Sequence, residues 1–463
     1  MASLHAVLPA PKSVASHQAT VLTTGAAVAQ VAEVLRGEPG FASVQFTTSS
    51  GGSGTHLLHR PLATITYSEG SALIVGPGGS AKVTARGFDI LQAALQAWRN
   101  PQGALLVGFL SYDLASELED VGPAPVADFV FPSLHFGLFD SALTFENGRW
   151  SFSATDAWRD IDGKIIERVA RAIDRADSIE ETPLRSGAVV SRPDRNAFET
   201  AVARIVQTIH AGDIFQTNLC RCLEAPLDSG AAWTLYRRMR AISPSRYEAF
   251  LRIDRERSVL SISPESFLRV EDRCVESAPI KGTRPRAKAP AEDRALSEDL
   301  LTSEKDRAEL AMIVDVVRND LARVCETGSV KVIRHAELMS LPTVHHLFST
   351  IRGRLRNGAG PVELLKAAFP PASISGAPKI EAIRVAMREE GQLRGPCMGA
   401  IGWISLDGRM ELSVAIRTAF VSGGSVRYYA GCGITAGSVP SAEFTESRHK
   451  AAAFVRALGT DAA

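Results

Sequence analysis

The sequence predicts an α+β fold, on three observations. Segments rich in β-branched and aromatic residues come in pairs joined by short turns, the pattern of antiparallel hairpins. Helical patterns stand between groups of strands and do not alternate regularly with single strands, which argues against a doubly wound parallel sheet. Of the 463 residues, 45% are hydrophobic, enough to bury a large core. Length alone fits two or three domains, or one large unit.

Taken in order, residues 1–19 read as a loose leader. They lack a basic start followed by an apolar core, so no signal peptide is expected. Residues 20–160 read mostly as strands and turns, with LLVGFLSYDLA (105–115) and PSLHFGLFDSALTFENGRWSF (132–152) the strongest strand patterns. A charged helix is expected over 161–179, then a polar stretch at 181–194 that is the best linker candidate. An amphipathic helix covers 197–212, and IFQTNLCRCLEAP (214–226) is a strand. SVLSISPESFLRV (258–270) and MGAIGWISLDGRMELSVAIRTAFV (398–421) carry further strands. A helix over 303–324 opens with Ser303 and Asp306 in a capping-box arrangement, and Leu310, Ile313, Val314, Val317 and Leu321 follow helical spacing. The last helix, 441–458, begins just after Ser438 and Pro440.

Composition narrows the function. Lys+Arg and Asp+Glu balance at 51 each, so nothing attracts nucleic acid or an acidic membrane, and any anion site must be local. The six cysteines form no CxxC pair and have no histidine at zinc-ligand spacing; they read as reduced thiols of a cytoplasmic protein. No apolar stretch is long enough to span a membrane.

Several residues could carry chemistry. Glu443, Glu446 and Lys450 fall on one stripe of the last helix, and Phe454 continues that stripe. Two carboxylates on a partly buried stripe suit magnesium, and Glu309 could add a third; equally, Glu446 and Lys450 could be an exposed ion pair. The glycines of GCGIT, following a strand, would let backbone N–H groups approach an anion, or serve an ordinary turn. FPPASISGAPK runs into a helix whose N-terminus could take an anion, or is simply a capped loop. Arg417, on a mostly apolar strand, needs an anionic partner, either a structural or a substrate carboxylate. Lys281, near Ile280, Arg284 and Arg286, is a nucleophile if these neighbours lower its pKa, or part of a solvated basic loop. Glu265, after Pro264 at a strand end, could serve as a general acid.

These residues belong to ten blocks: IFQTNLCR, SISPESF, PIKGTRPR, KDRAELAMIVDVVRNDLARV, HHLFSTIRG, SISGAPK, GAIGWIS, AIRTAF, GCGIT and AEFTESRHKA. Their order resembles that of the chorismate-utilising enzymes, which include anthranilate, aminodeoxychorismate, isochorismate and salicylate synthases. GFLSYDL and FGLFDSALTF extend the likeness into the N-terminal part. The resemblance implies one large unit of two facing antiparallel sheets flanked by helices, like anthranilate synthase component I. Residues 20–185 would be its N-terminal region and 195–460 the chorismate-binding catalytic region. It also implies roles: Glu309, Glu443 and Glu446 for Mg2+; Lys450, Arg417, Gly431, Gly433, Thr283 and Ser375 for the substrate; Glu265 as acid/base; His346 as a further catalytic residue.

Two positions bear on which member the chain resembles. Isochorismate and salicylate synthases carry a water-activating lysine where this chain has Gln216. Anthranilate synthases typically have PIAGT where this chain has PIKGT, the form seen in aminodeoxychorismate synthase component I. That likeness implies a lysine nucleophile, Lys281, and conversion of chorismate and ammonia to 4-amino-4-deoxychorismate for 4-aminobenzoate and folate. The alternatives are anthranilate synthase component I, 2-amino-2-deoxyisochorismate synthase, or an inactive paralogue that binds an amidotransferase. The sequence departs from the pattern at Pro396-Cys397-Met398-Gly399 and in the FPPAS loop. It also has no G-x-C-x-G-x-Q elbow, so a separate glutamine amidotransferase subunit is implied as the ammonia source.

Overall fold

A computed structural model describes residues 20–22, 28–48, 51–98, 104–126, 128–154, 167, 184 and 186–460. The expected leader and all but one residue of the expected 161–179 helix lie outside them. Two twelve-stranded antiparallel sheets dominate, flanked by ten α-helices among the described residues. No described helix is long and apolar enough to cross a membrane.

Both sheets mix strands from the two ends of the chain. In the first, Ala42–Thr47 pairs with Tyr247–Arg252; in the second, Leu105–Leu110 pairs with Ala400–Ser405. Neither half could complete its sheet alone. The expected linker region contributes too, since Val190–Arg192 pairs with Gln216–Pro226. Strands such as Leu134–Phe139 and Ala400–Ser405 are buried at every position, because they are covered on both faces. This is why they read as continuous apolar runs and not as alternating patterns.

The largest core fills the space between the sheets and continues through the second sheet to the helices Gly87–Ala97, Glu304–Ala322 and Pro361–Ala368. A second core packs the first sheet against Val28–Leu35, Ala232–Ile242 and Pro440–Leu458. Helix Glu304–Ala322 starts as expected: the Ser303 hydroxyl accepts from Asp306 N at 3.2 Å. Two details differ from the sequence reading. Tyr112–Leu114 and Ala115–Leu118 are short helical turns, not a continuation of the 105–110 strand. The GCGIT glycines lie inside strand Ser425–Ile434, not after it.

Candidate active site

Two of the connections that cross from one sheet to the other meet at one place. Pro264 and Glu265 link Ser258–Ser263 of the first sheet to Ser266–Glu271 of the second. Ala415 to Arg417 make the return crossing, from Met410–Val414 to Thr418–Ser422. The crossings are tied together: Val414 N donates to Glu265 O at 3.1 Å, and Ile262 N to Arg417 O at 3.2 Å. The sheet-to-sheet connections therefore fix one carboxyl and one guanidinium near each other.

Glu265 is 3% exposed. Burial pushes its carboxyl up to about 7, against the opposing influence of the nearby Ser373 hydroxyl, the Lys281 ammonium and Ile280 N. Ile280 N donates to Oε1 at 3.4 Å, while the buried Ser373 hydroxyl stays outside hydrogen-bond geometry. Arg417 adopts a left-handed backbone, φ 50°. Burial lowers its pKa, and no described carboxylate pairs with it. A half-buried guanidinium without an anion is costly, and an anion from outside the chain would offset that cost.

Lys281 sits on Ile280–Pro285, where that strand runs beside Val344–Arg354. The register breaks between Lys281 and Thr283, and Gly282 takes φ 71° there, a conformation glycine adopts at no steric cost. Lys281 Nζ reaches the other sheet, 3.4 Å from where a Cβ on Gly433 would lie; that Cβ would come 2.3 Å from Gln216 Nε2. Gly433 thus keeps space beside both polar side chains. Burial is the main cause of a lowered Lys281 pKa; Glu309 opposes it and Lys450 adds to it. The expected influence of Arg284 and Arg286 is absent, because both are occupied. Arg284 pairs with Asp299 at 2.6 Å and Arg286 with Asp293 at 2.8 Å.

The last helix packs on the strand that carries Gly431 and Gly433. It brings oxygens of Glu443 and Glu446 together with Cys432 Sγ, all within 4.8 Å of one another. Glu443 is buried and accepts from Ser438 Oγ at 2.6 Å. Burial raises its pKa, and the neighbouring Glu446 adds to this. At Glu446 burial is outweighed by the Lys450 ammonium, which holds the carboxyl below its usual range. Lys450 Nζ contacts Glu446 Oε1 at 2.8 Å and donates to Gly431 O at 3.0 Å. Gly431 itself is required by packing, since a Cβ there would come 2.4 Å from Leu219 O. Glu309 comes from a different helix and lies outside the tight group, yet it couples electrostatically to Glu446 and Lys281. Two clustered carboxylates, one of them strained by burial, suit a hard divalent cation; Mg2+ takes one or two such ligands and keeps positions for other oxygens.

His346 is buried, and burial, then Arg417, lowers its pKa to about 4, so the ring is neutral. Its Nδ1 is 2.9 Å from Thr283 Oγ1, while Nε2 is buried with no partner. Ser375 is not brought into this group by any contact. Its hydroxyl donates to Pro371 O at 2.9 Å, and its carbonyl accepts from Asn218 N at 3.1 Å. Sequence reasoning missed Ser438, Cys432, Ser373 and Lys305. Lys305 lies 3.9 Å from Glu309 and acts on Glu443 and Glu446 as well. Only Lys305, four residues before Glu309, left a readable signal.

Comparison with known proteins places this arrangement. The chorismate binding enzyme family matches residues 44–456. Anthranilate synthase component 1 of Streptomyces coelicolor is 37% identical over 375 residues, covering 76% of this chain and 72% of that protein. Aminodeoxychorismate synthase of Streptomyces griseus is 39% identical over 369 residues, covering 76% of this chain but 50% of that protein. The crystal structure of anthranilate synthase component I from Streptococcus pneumoniae superposes with a TM-score of 0.76 at 28% identity, covering 87% of this chain and 92% of that one.

Proposed function

Since this chain belongs to the chorismate-binding enzyme family, we propose that it is an aminodeoxychorismate synthase component I, converting chorismate and ammonia to 4-amino-4-deoxychorismate. The observation that carries this reading is Lys281. It is half-buried between the two sheets, has a lowered pKa, and has no ion-pair partner among the described residues. An amine beside Gly433 whose pKa burial lowers is equipped, once it has given up its proton, to attack a ring carbon.

In this mechanism Arg417, with no carboxylate of its own, takes the enolpyruvyl carboxylate of chorismate. Gly433 leaves room there. Lys450 contributes positive charge toward the ring carboxylate. Glu443 and Glu446, with Glu309 facing them, would hold Mg2+, which when bound supplies charge to bind that carboxylate. Lys281 Nζ attacks ring carbon 2, the double-bond electrons shift, and the 4-hydroxyl departs as water with a proton from Glu265. A carboxyl at about 7 still carries its proton near neutrality, as a general acid must. Ammonia then bonds to carbon 4, and Lys281 is expelled from carbon 2 as an amine. Overall, chorismate and ammonia give aminodeoxychorismate and water. His346 and Thr283 hold their mutual hydrogen bond and leave Nε2 for a substrate oxygen. Gln216 cannot act as a base, which disfavours water as the nucleophile. Ser375 supports the loop behind these groups.

The ammonia source is a separate glutamine amidotransferase subunit, and the product feeds 4-aminobenzoate and folate synthesis in the cytoplasm. A second reading, anthranilate synthase component I, is favoured by the names of the relatives, which divide between the two activities. Lys281→Ala separates the readings. The variant should lose amination at carbon 4 by several orders of magnitude; full activity with ammonia would remove the nucleophile.

A further inference from the structure

A cavity of about 10 Å³ lies against Glu265. Ser373, Asp320 and Ser277 are among its walls; Lys281 and Gly433 are not. It has room for one water and for nothing larger. Three elements deliver its polar groups. Ser373 comes from the one-turn helix Ala372–Ile374, Asp320 from helix Glu304–Ala322, and Ser277 from strand Cys274–Ala278. All three residues are buried.

The loop that carries Ser373 offers two hydroxyls. Ser375 spends its own on Pro371 O, at 2.9 Å. Ser373 Oγ is buried and has no hydrogen-bond partner, although it lines the cavity beside the Glu265 carboxyl. An orphaned buried hydroxyl is costly, and a water in the cavity satisfies it. Such a water has the several polar partners that enclosure requires: the Ser373 hydroxyl, the Glu265 carboxyl and the Asp320 carboxylate. Asp320 is already paired with Lys379 Nζ at 2.6 Å, so it brings little net charge. The other charged groups that face Glu265 are Lys281, from strand Ile280–Pro285, and Arg417, on the return crossing.

We infer that Ser373 is a positioning residue for the acid: through one enclosed water shared with Asp320, it holds the Glu265 carboxyl and stabilises the carboxylate left when the proton goes to the departing 4-hydroxyl. This deepens the reading of Glu265 as that acid and rests on it. The Ser373 hydroxyl donates to the water, and the water donates to Glu265 and to Asp320. Ile280 N donates to Glu265 Oε1 from another side. No proton leaves Ser373; only hydrogen bonds strengthen as charge grows on Glu265. A donor to the charged form opposes the effect of burial, so Ser373 makes Glu265 a stronger acid than burial alone would leave it.

The test follows the full chain with chorismate, ammonia and Mg2+ across pH. Ser373→Ala should lower kcat about tenfold and leave KM for chorismate unchanged, because the residue serves the acid and not the substrate. The falling limb of kcat/KM, set by ionisation of Glu265 at about 7, should move upward by about one pH unit, since the ionised form loses its donor. Ser373→Thr keeps the hydroxyl and should restore both. A crystal structure of the unsubstituted chain should show one ordered water within hydrogen-bond distance of Ser373 Oγ and the Glu265 carboxyl, an observation that needs no variant to fold. Glu265→Gln separates the two levels of the argument. A falling limb that persists in Glu265→Gln overturns the acid itself. A limb lost in Glu265→Gln but unmoved in Ser373→Ala overturns the role of Ser373 alone, as does a cavity without water or a Ser373→Thr variant as slow as Ser373→Ala.

Discussion

Glu265→Gln separates what Glu265 costs the fold from what it contributes to the reaction. In the unfolded chain its carboxyl ionises near the ordinary 4.5; in the fold burial moves this to about 7. Between those values the folded state keeps the proton, so stability falls as pH rises: the contribution of the neutral acid is complete below about 4.5 and lost above about 7. The difference amounts to about 3 kcal/mol, on a side chain only 3% exposed. Glutamine keeps the shape and the oxygen that accepts from Ile280 N, but it never ionises. At pH 8 the variant should therefore be more stable by about 3 kcal/mol, and at pH 5 nearly equal to the parent. Unfolding entropy of ~2.1 cal/mol/K per residue over 463 residues is about 1 kcal/mol/K, so the gain is about 3 °C in Tm. Scanning calorimetry at both pH values, without substrate or metal, measures it. Amination should fall about 10²- to 10⁴-fold in the same protein. A Tm gap equal at pH 5 and pH 8 would refute the claim that burial sets the Glu265 ionisation.

Other expectations follow from neighbouring residues. Arg417→Met should raise KM for chorismate by about 10- to 100-fold, the value of a charged hydrogen bond, without loss of stability, because it removes a cation that had no partner. Ser438→Ala removes the hydroxyl that orients Glu443 and should weaken Mg2+ affinity about 10- to 100-fold by calorimetry, with the helix start unharmed since Val439 is the cap residue. Gly433→Ala forces a Cβ onto Gln216 Nε2 and beside Lys281 Nζ, and should lower kcat more than it raises KM in steady-state assays. With the nucleophile required neutral and Glu265 required protonated, kcat/KM should rise with pH as Lys281 loses its proton and fall as pH passes about 7.

Much of the site was readable because its residues carry chemistry in their type and order. Lys281, Glu265, Arg417 and the Glu443–Glu446 stripe each left a local signal, and the order of the blocks joined them. Helix periodicity located the helices bearing Glu309 and Glu443. What stayed hidden depends on distant pairing. Nothing local in PIKGTRPR tells that Arg284 and Arg286 are claimed by Asp299 and Asp293, so that burial lowers the Lys281 pKa. Ser438 read as the edge of a helix, whereas its hydroxyl serves Glu443. The interleaving of early and late strands, such as Leu105–Leu110 beside Ala400–Ser405, is set by contacts some 300 residues apart in the chain, which no local pattern encodes.

Product identification from chorismate, ammonia and Mg2+ tests the central claim most directly. The position of Lys281 predicts 4-amino-4-deoxychorismate, detected by chromatography and mass, with no release of pyruvate. Fluorescent anthranilate together with stoichiometric pyruvate would contradict it.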